Sequence, residues 1–198
     1  VDKSFCFFFQ KEALSWELHM KLMGLTIGAA LLAAGPALAV LQPGTAAPDF
    51  TTTATQGGNA FPYHLADALK KGPVVLYFYP AAFTSGCTEE AHEFADAVPE
   101  YAALGATVIG VSQDGIEKLK KFSTSECRAK FPVASDKDGS ISRAYEATMG
   151  PGFLGYSSRT SYVILPDGHV SYVYSAMDPT AHVSNTLAAV KKWKSGSK

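Results

Sequence analysis

The chain's 198 residues, 47% hydrophobic and 12% aromatic, suffice for one domain whose core needs no disulfide or metal staple, and they exclude disorder over most of its length. With 17 basic residues against 18 acidic ones and no basic run beyond Lys191-Lys192-Trp193-Lys194, the charge excludes nucleic acid as a partner. Three cysteines are too few for a disulfide scaffold and lack zinc-ligand spacing.

Residues 1–19 have no helical or strand period and are expected to be an upstream segment outside the mature protein. Residues 20–39 have the order of a secretory signal: Met20 and the basic Lys21, an apolar run over 22–34, then the small-x-small sequence Ala37-Leu38-Ala39. Cleavage after Ala39 predicts a mature domain over 40–198, exported to an oxidising compartment such as the periplasm and without stable membrane association. An uncleaved anchor is the alternative, because residues 22–41 are long enough to span a bilayer. Of the three cysteines, Cys87 and Cys127 remain in the mature domain.

Residues 41–48, rich in Gly, Pro and Ala, read as a mobile arm. The continuous apolar runs 74–79 and 107–111 predict strands buried on both faces. Between them, residues 88–104 carry Ala91, Phe94, Ala95, Val98 and Ala102 at helical spacing, with a kink expected at Pro99 and a stop at Gly105. Strand, helix and strand in that order predict a parallel, right-handed crossover. A helix over 116–127, a short strand over 131–134 and a brief helix capped by Ser140 follow. Strands over 161–165 and 169–174 flank Pro166-Asp167-Gly168 and predict an antiparallel hairpin. Asp178 and Pro179 are expected to open a last helix running to about Trp193. The sum is an α/β fold, a mixed central sheet flanked by helices in the thioredoxin-like arrangement.

Cys87 follows the first buried strand, at the sheet end where open α/β sheets place their sites. A thiol in the first turn of a helix meets unpaired N–H groups and the positive end of the macrodipole, which favour the ionised sulfur. Position alone leaves a small buried apolar residue as an equal reading.

The surrounding residues, Pro80-x-x-x-Thr84-x-x-Cys87, resemble the signature of the peroxiredoxins, the alkyl hydroperoxide reductase and thiol-specific antioxidant family, at the junction where that family carries it. The likeness runs from about Gly44 to Trp193. Cys87-Thr88-Glu89-Glu90 resembles the Q type, also called bacterioferritin comigratory proteins. The resemblance implies a peroxidase in which Cys87 becomes a sulfenic acid, while Thr84 and the backbone N–H groups of Gly86 and Cys87 donate to the peroxide. Pro80 would shield the thiolate from water, and Arg159, just before the strand at Thr160, would bind sulfur and peroxide. It implies no cofactor and no metal; its partners are a peroxide and a thioredoxin-like or other dithiol reductant, and the protein acts as a monomer or weak dimer. Glu90 lies on the Cys87 side of the helix, where its charge alone would oppose thiolate formation, so it is expected to orient Arg159.

Many Q-type proteins carry a second cysteine five residues after the first, and here that position is His92. Five residues on a helix point side chains ~140° apart, so Cys87 and His92 make a poor metal site. His92, His64 and His182 are expected to be polar surface residues. The family also permits, without requiring, a resolving cysteine in the second helix, a role that Cys127 could fill after local unwinding brings the two Cα atoms within ~7 Å; the alternative is a buried structural cysteine, with an external thiol regenerating Cys87. Phe83, Phe153 and Tyr156 are candidates to line an apolar entrance. The rival function is thiol-disulfide exchange between proteins without peroxidase activity, but that chemistry needs Cys-x-x-Cys, which Glu90 interrupts.

Overall fold

The computed structural model describes residues 40–150 and 156–196. The signal segment, the residues before it and Phe153 lie outside the described residues. No helix among the described residues is long and apolar enough to cross a membrane.

Seven strands form one mixed sheet: β1 (Thr51–Gln56), β2 (Asn59–His64), β3 (Val74–Phe78), β4 (Thr107–Ser112), β5 (Val133–Ser135), β6 (Thr160–Ile164) and β7 (Val170–Ser175). Their spatial order is β2-β1-β5-β4-β3-β6-β7. β3, β4 and β5 run parallel, whereas β3 with β6 and β6 with β7 are antiparallel. Helices α1 (Leu65–Leu69), α2 (Ser85–Ala103), α3 (Ile116–Ser125), α4 (Ser140–Ala144) and α5 (His182–Gly196) complete the fold.

The pleat of β3 divides the core. Val75, Tyr77 and Tyr79 face one cluster with Phe94 of α2, Phe122 of α3 and Val190 of α5. Val74, Leu76 and Phe78 face the other, with Leu65 of α1 and Ile141 of α4. An uninterrupted apolar run is what a strand covered on both faces requires. Cys87 and Cys127 both belong to the first cluster.

The predicted crossover and hairpin are present, with α2 beginning at Ser85 and passing through Pro99. Other expectations are corrected. The segment before β1 is not a loose arm: Gly44 N donates to Val170 O at 2.7 Å, Val170 N to Thr45 O at 2.9 Å and Ala47 N to Gly168 O at 2.8 Å, which ties it to the β6–β7 turn. Ser140 does not cap α4. The buried Asp136 carboxylate does, accepting from Ile141 N at 2.9 Å and Ser142 N at 2.8 Å. The last helix starts at His182, because Asp178 accepts from Thr180 N at 3.0 Å and bends the chain into a turn first. The β1–β2 hairpin was not anticipated, although Gly57-Gly58, at φ 58° and 83°, is the two-residue turn that such hairpins favour.

Candidate active site

β3 ends at Phe78, and the loop from Tyr79 to Thr84 delivers the chain to α2. Asp114, beyond the neighbouring β4, fixes that loop: its Oδ2 accepts from Ala82 N at 2.7 Å and from Ser112 Oγ at 2.9 Å. Phe83 adopts φ 70°, a left-handed conformation rare for a bulky side chain, and its exposed ring meets Phe122 edge-on at 5.2 Å. Thr84 is the N-cap of α2; its Oγ1 donates to Ala81 O at 3.0 Å. Pro80, partly buried, opens the loop.

Cys87 is therefore the third residue of α2, in the turn whose N–H groups have no acceptor within the helix. Its side chain is 1% exposed. Arg159, at the entry to β6, reaches it across the sheet end, with Nη2 3.6 Å from Sγ. The guanidinium is held from the other sides as well. Nε donates to Met177 O at 2.9 Å, and Nη1 donates to Gly86 O at 3.4 Å and to Glu90 Oε2. Gly86 makes this approach possible, since a Cβ there would stand 3.1 Å from Arg159 Nη2. Burial pushes the Glu90 carboxyl above its ordinary range, and the pull of Arg159 only partly reverses it. Cys87 and Glu90 thus share one side of α2, as the helical spacing predicts, and Arg159 meets both, as the family resemblance implies.

His182 corrects its surface assignment. Its side chain is wholly buried beside Glu90, with Nδ1 2.8 Å from Ser161 Oγ and 3.7 Å from Glu90 Oε1. Its Nε2 faces Ala176 O at 2.9 Å. Neither His182 nor Ser161 sits in a recognisable motif; the turn made by Asp178 is what folds the start of α5 inward.

Cys127 follows α3 and is fully buried, which pushes its thiol far above the ordinary value. The turn carrying it is bracketed by two contacts with α2, His92 Nε2 to Glu126 Oε2 at 2.9 Å and Arg128 Nη1 to Asp96 Oδ1 at 2.6 Å. Arg128 and Ala129 both take positive φ, 49° and 55°. Both cysteines are free thiols.

A thioredoxin-like sheet that exchanges disulfides between proteins needs a second thiol one turn after the first. Here that place belongs to Glu90, which is engaged by an arginine aimed at the remaining sulfur, so fold and site together define a peroxidase of the cysteine-dependent class. The model of the AhpC/TSA family matches residues 43–173, and the chain belongs to that family. A Mycobacterium tuberculosis protein named as a peroxiredoxin is 38% identical over 137 residues, covering 68% of this chain and 88% of the relative. The crystal structure of peroxidoxin BcpB from the same organism superposes with a TM-score of 0.70 at 34% identity, covering 77% of this chain and 97% of that one. A Xanthomonas campestris bacterioferritin comigratory protein, in a structure titled for its alkyl peroxide reduction activity, matches with a TM-score of 0.67 at 28% identity, over 79% of this chain and 99% of that one. The protein is a thiol-dependent peroxidase, and Cys87-Thr88-Glu89-Glu90 is its Q-type pattern.

Proposed function

We propose that Cys87 is the sulfur that attacks peroxide, with Arg159 binding both the thiolate and the peroxide, and that Cys127 resolves the product. The observation that carries this reading is the 3.6 Å approach of Arg159 Nη2 to Cys87 Sγ, made by a guanidinium held by Met177, Gly86 and Glu90. In the first step the thiolate forms an S–O bond with one peroxide oxygen as the O–O bond breaks. Sulfur is oxidised to sulfenic acid, and the other oxygen leaves as an alkoxide or hydroxide that takes up a proton. The arginine and the first-turn N–H groups face the negative charge that shifts from sulfur to the departing oxygen, which is where preorganised donors lower a barrier. Thr84 Oγ1 can turn from Ala81 O to donate to the peroxide, and Pro80 limits access of water to the sulfur.

In the second step Cys127 Sγ displaces water from the sulfenic acid, giving a Cys87–Cys127 disulfide that an external dithiol reduces. Two left-handed residues beside Cys127, and a turn held to α2 by two side-chain contacts, supply a segment able to open. The exposed Phe83 and Tyr156 favour an apolar hydroperoxide in addition to hydrogen peroxide. The signal-like order of residues 20–39 supports export, with a monomer or weak dimer acting outside the cytoplasm.

Mass spectrometry after one equivalent of peroxide tests the assignment. A disulfide between Cys87 and Cys127 is expected, with peroxide consumption lost in Cys87→Ser. A Cys87→Ser protein that still consumes peroxide at the parent rate overturns it.

A further inference from the structure

The active-site cluster has a charge problem that its recognised residues do not solve. Among the described residues, Arg159 is the only buried lysine or arginine. Two potential anions share it, Cys87 at 1% exposure and Glu90 at 0%. With the sulfur ionised and Glu90 a carboxylate, the buried cluster carries one negative charge more than it can pair. An uncompensated buried charge costs several kcal/mol, enough to suppress the thiolate.

The geometry shows where a compensating proton fits. Arg159 donates to Glu90 Oε2, and Glu90 Oε1 is buried without any hydrogen-bond partner. Facing it at 3.7 Å is Nδ1 of His182. His182 Nε2 lies 2.9 Å from the carbonyl oxygen of Ala176, which can only accept, so Nε2 carries a hydrogen and Nδ1 of the neutral ring is bare. A bare nitrogen and an orphaned carboxylate oxygen therefore look at each other with one hydrogen missing. Ser161 Oγ, 2.8 Å from Nδ1, can accept from it or donate to it as the proton moves.

We propose that Glu90 and His182 hold one proton between them while Cys87 is ionised, so that a single guanidinium serves the sulfur; His182, with Ser161, is a positioning residue for the peroxidase site. The inference rests on the reading of Cys87 as the peroxide-reacting thiol. As the thiol loses a proton the pair gains one, and the buried cluster stays neutral throughout. When the proton sits on Glu90 Oε1, the carboxyl still accepts from Arg159 through Oε2 but no longer competes with the sulfur as an anion.

Among the described residues, ionisable and polar groups from several elements act on the pair. From α2 come Cys87 and, one turn beyond Glu90, Glu93, whose charge disfavours a second carboxylate. From β6 come Arg159 and Ser161, and from β3 Tyr77, whose buried hydroxyl stays neutral. The turn before α5 supplies Asp178, which acts on both Arg159 and His182, and β7 supplies the Tyr174 ring, 4.8 Å from the imidazole and T-shaped to it. Burial raises the pKa of Glu90 and lowers that of His182, both of which favour the carboxyl over the imidazole as the proton's place.

The test measures the thiolate fraction of Cys87 against pH, by alkylation rate and by peroxide reaction rate, in the full chain carrying Cys127→Ser. His182→Gln removes the imidazole nitrogen that faces the proton on Glu90 Oε1 and should lower the thiolate fraction at neutral pH on the order of tenfold. Glu90→Gln, a permanently neutral mimic of the protonated carboxyl, should raise that fraction, and His182→Gln added to it should change it no further. A folded His182→Gln protein with the parent profile overturns the proposal. So does a Glu90→Gln, His182→Gln protein as impaired as His182→Gln alone, which is what a packing role predicts. If His182→Gln does not fold, Glu90→Gln decides alone: a fall in its thiolate fraction refutes the shared proton. If Cys87→Ser keeps peroxidase activity, it is the assignment of the reacting thiol that fails.

Discussion

Arg159 Nη2 stands 3.6 Å from Cys87 Sγ, while the other nitrogens of the same guanidinium are committed to Met177 O, Gly86 O and Glu90. One planar group thus joins the start of α2, the turn before α5 and the Cys87 sulfur. Lysine has a single nitrogen and cannot span them. Arg159→Ala should slow the reaction with peroxide by about 10²–10³-fold, the loss typical of one preorganised donor. Arg159→Lys should recover only part of it. Stopped-flow oxidation measures the first step, and reduction of the preformed disulfide by a dithiol should change far less.

Gly86→Ala separates stability from activity. Alanine is favoured over glycine in a helix by about 1 kcal/mol, but its Cβ would crowd Arg159 Nη2 at 3.1 Å. The melting temperature should hold or rise while the peroxide rate falls, as read by calorimetry and stopped flow on the same preparation.

The turn bearing Cys127 is pinned to α2 by His92–Glu126 and Asp96–Arg128. Pairs of this kind contribute roughly 0.2–1 kcal/mol each, so removing both in His92→Ala, Asp96→Ala should speed disulfide formation by about two- to thirtyfold. The first oxidation should be unaffected. Cys127→Ser should consume one equivalent of peroxide and stall as sulfenic acid, detectable by dimedone labelling.

Burial raises the Cys127 thiol far above its ordinary value. The folded protein therefore keeps this proton at alkaline pH, whereas the unfolded chain releases it near ~8.5. Above that pH the folded state binds more protons than the unfolded one, so stability falls as pH rises, by up to about 1.4 kcal/mol per pH unit from this group. Urea unfolding of the reduced protein between pH 8 and 10 should show the decline. Cys127→Ala should flatten it.

Asp136 is 2% exposed, and its carboxylate caps α4 through Ile141 N and Ser142 N. Asp136→Ala strands two buried donors and should cost about 2 kcal/mol in urea unfolding. The rate of Cys87 oxidation should stay the same.

What the sequence determined by itself is local. Pro80, Thr84, Cys87 and Glu90 lie along one strand-turn-helix passage, so spacing alone sets their order and puts the last two on one helix face. The apolar run of β3 likewise demanded cover on both faces, and Pro166-Asp167-Gly168 demanded a hairpin. Arg159 was legible only through its place before a strand, because a family pattern supplied the contact that spacing does not. The tertiary structure decided what shares a buried volume. A histidine near a helix start reads as a surface residue until the Asp178 turn swings it onto Glu90. His92 has no visible partner until α2 and the end of α3 come together. Strand β2 at the sheet edge and β1 beside it carry many polar, half-exposed residues, which leave little periodicity to read. The physical reason is one of range: periodicity and turn chemistry act over a few residues, whereas the cost of a buried charge depends on every group the fold brings around it.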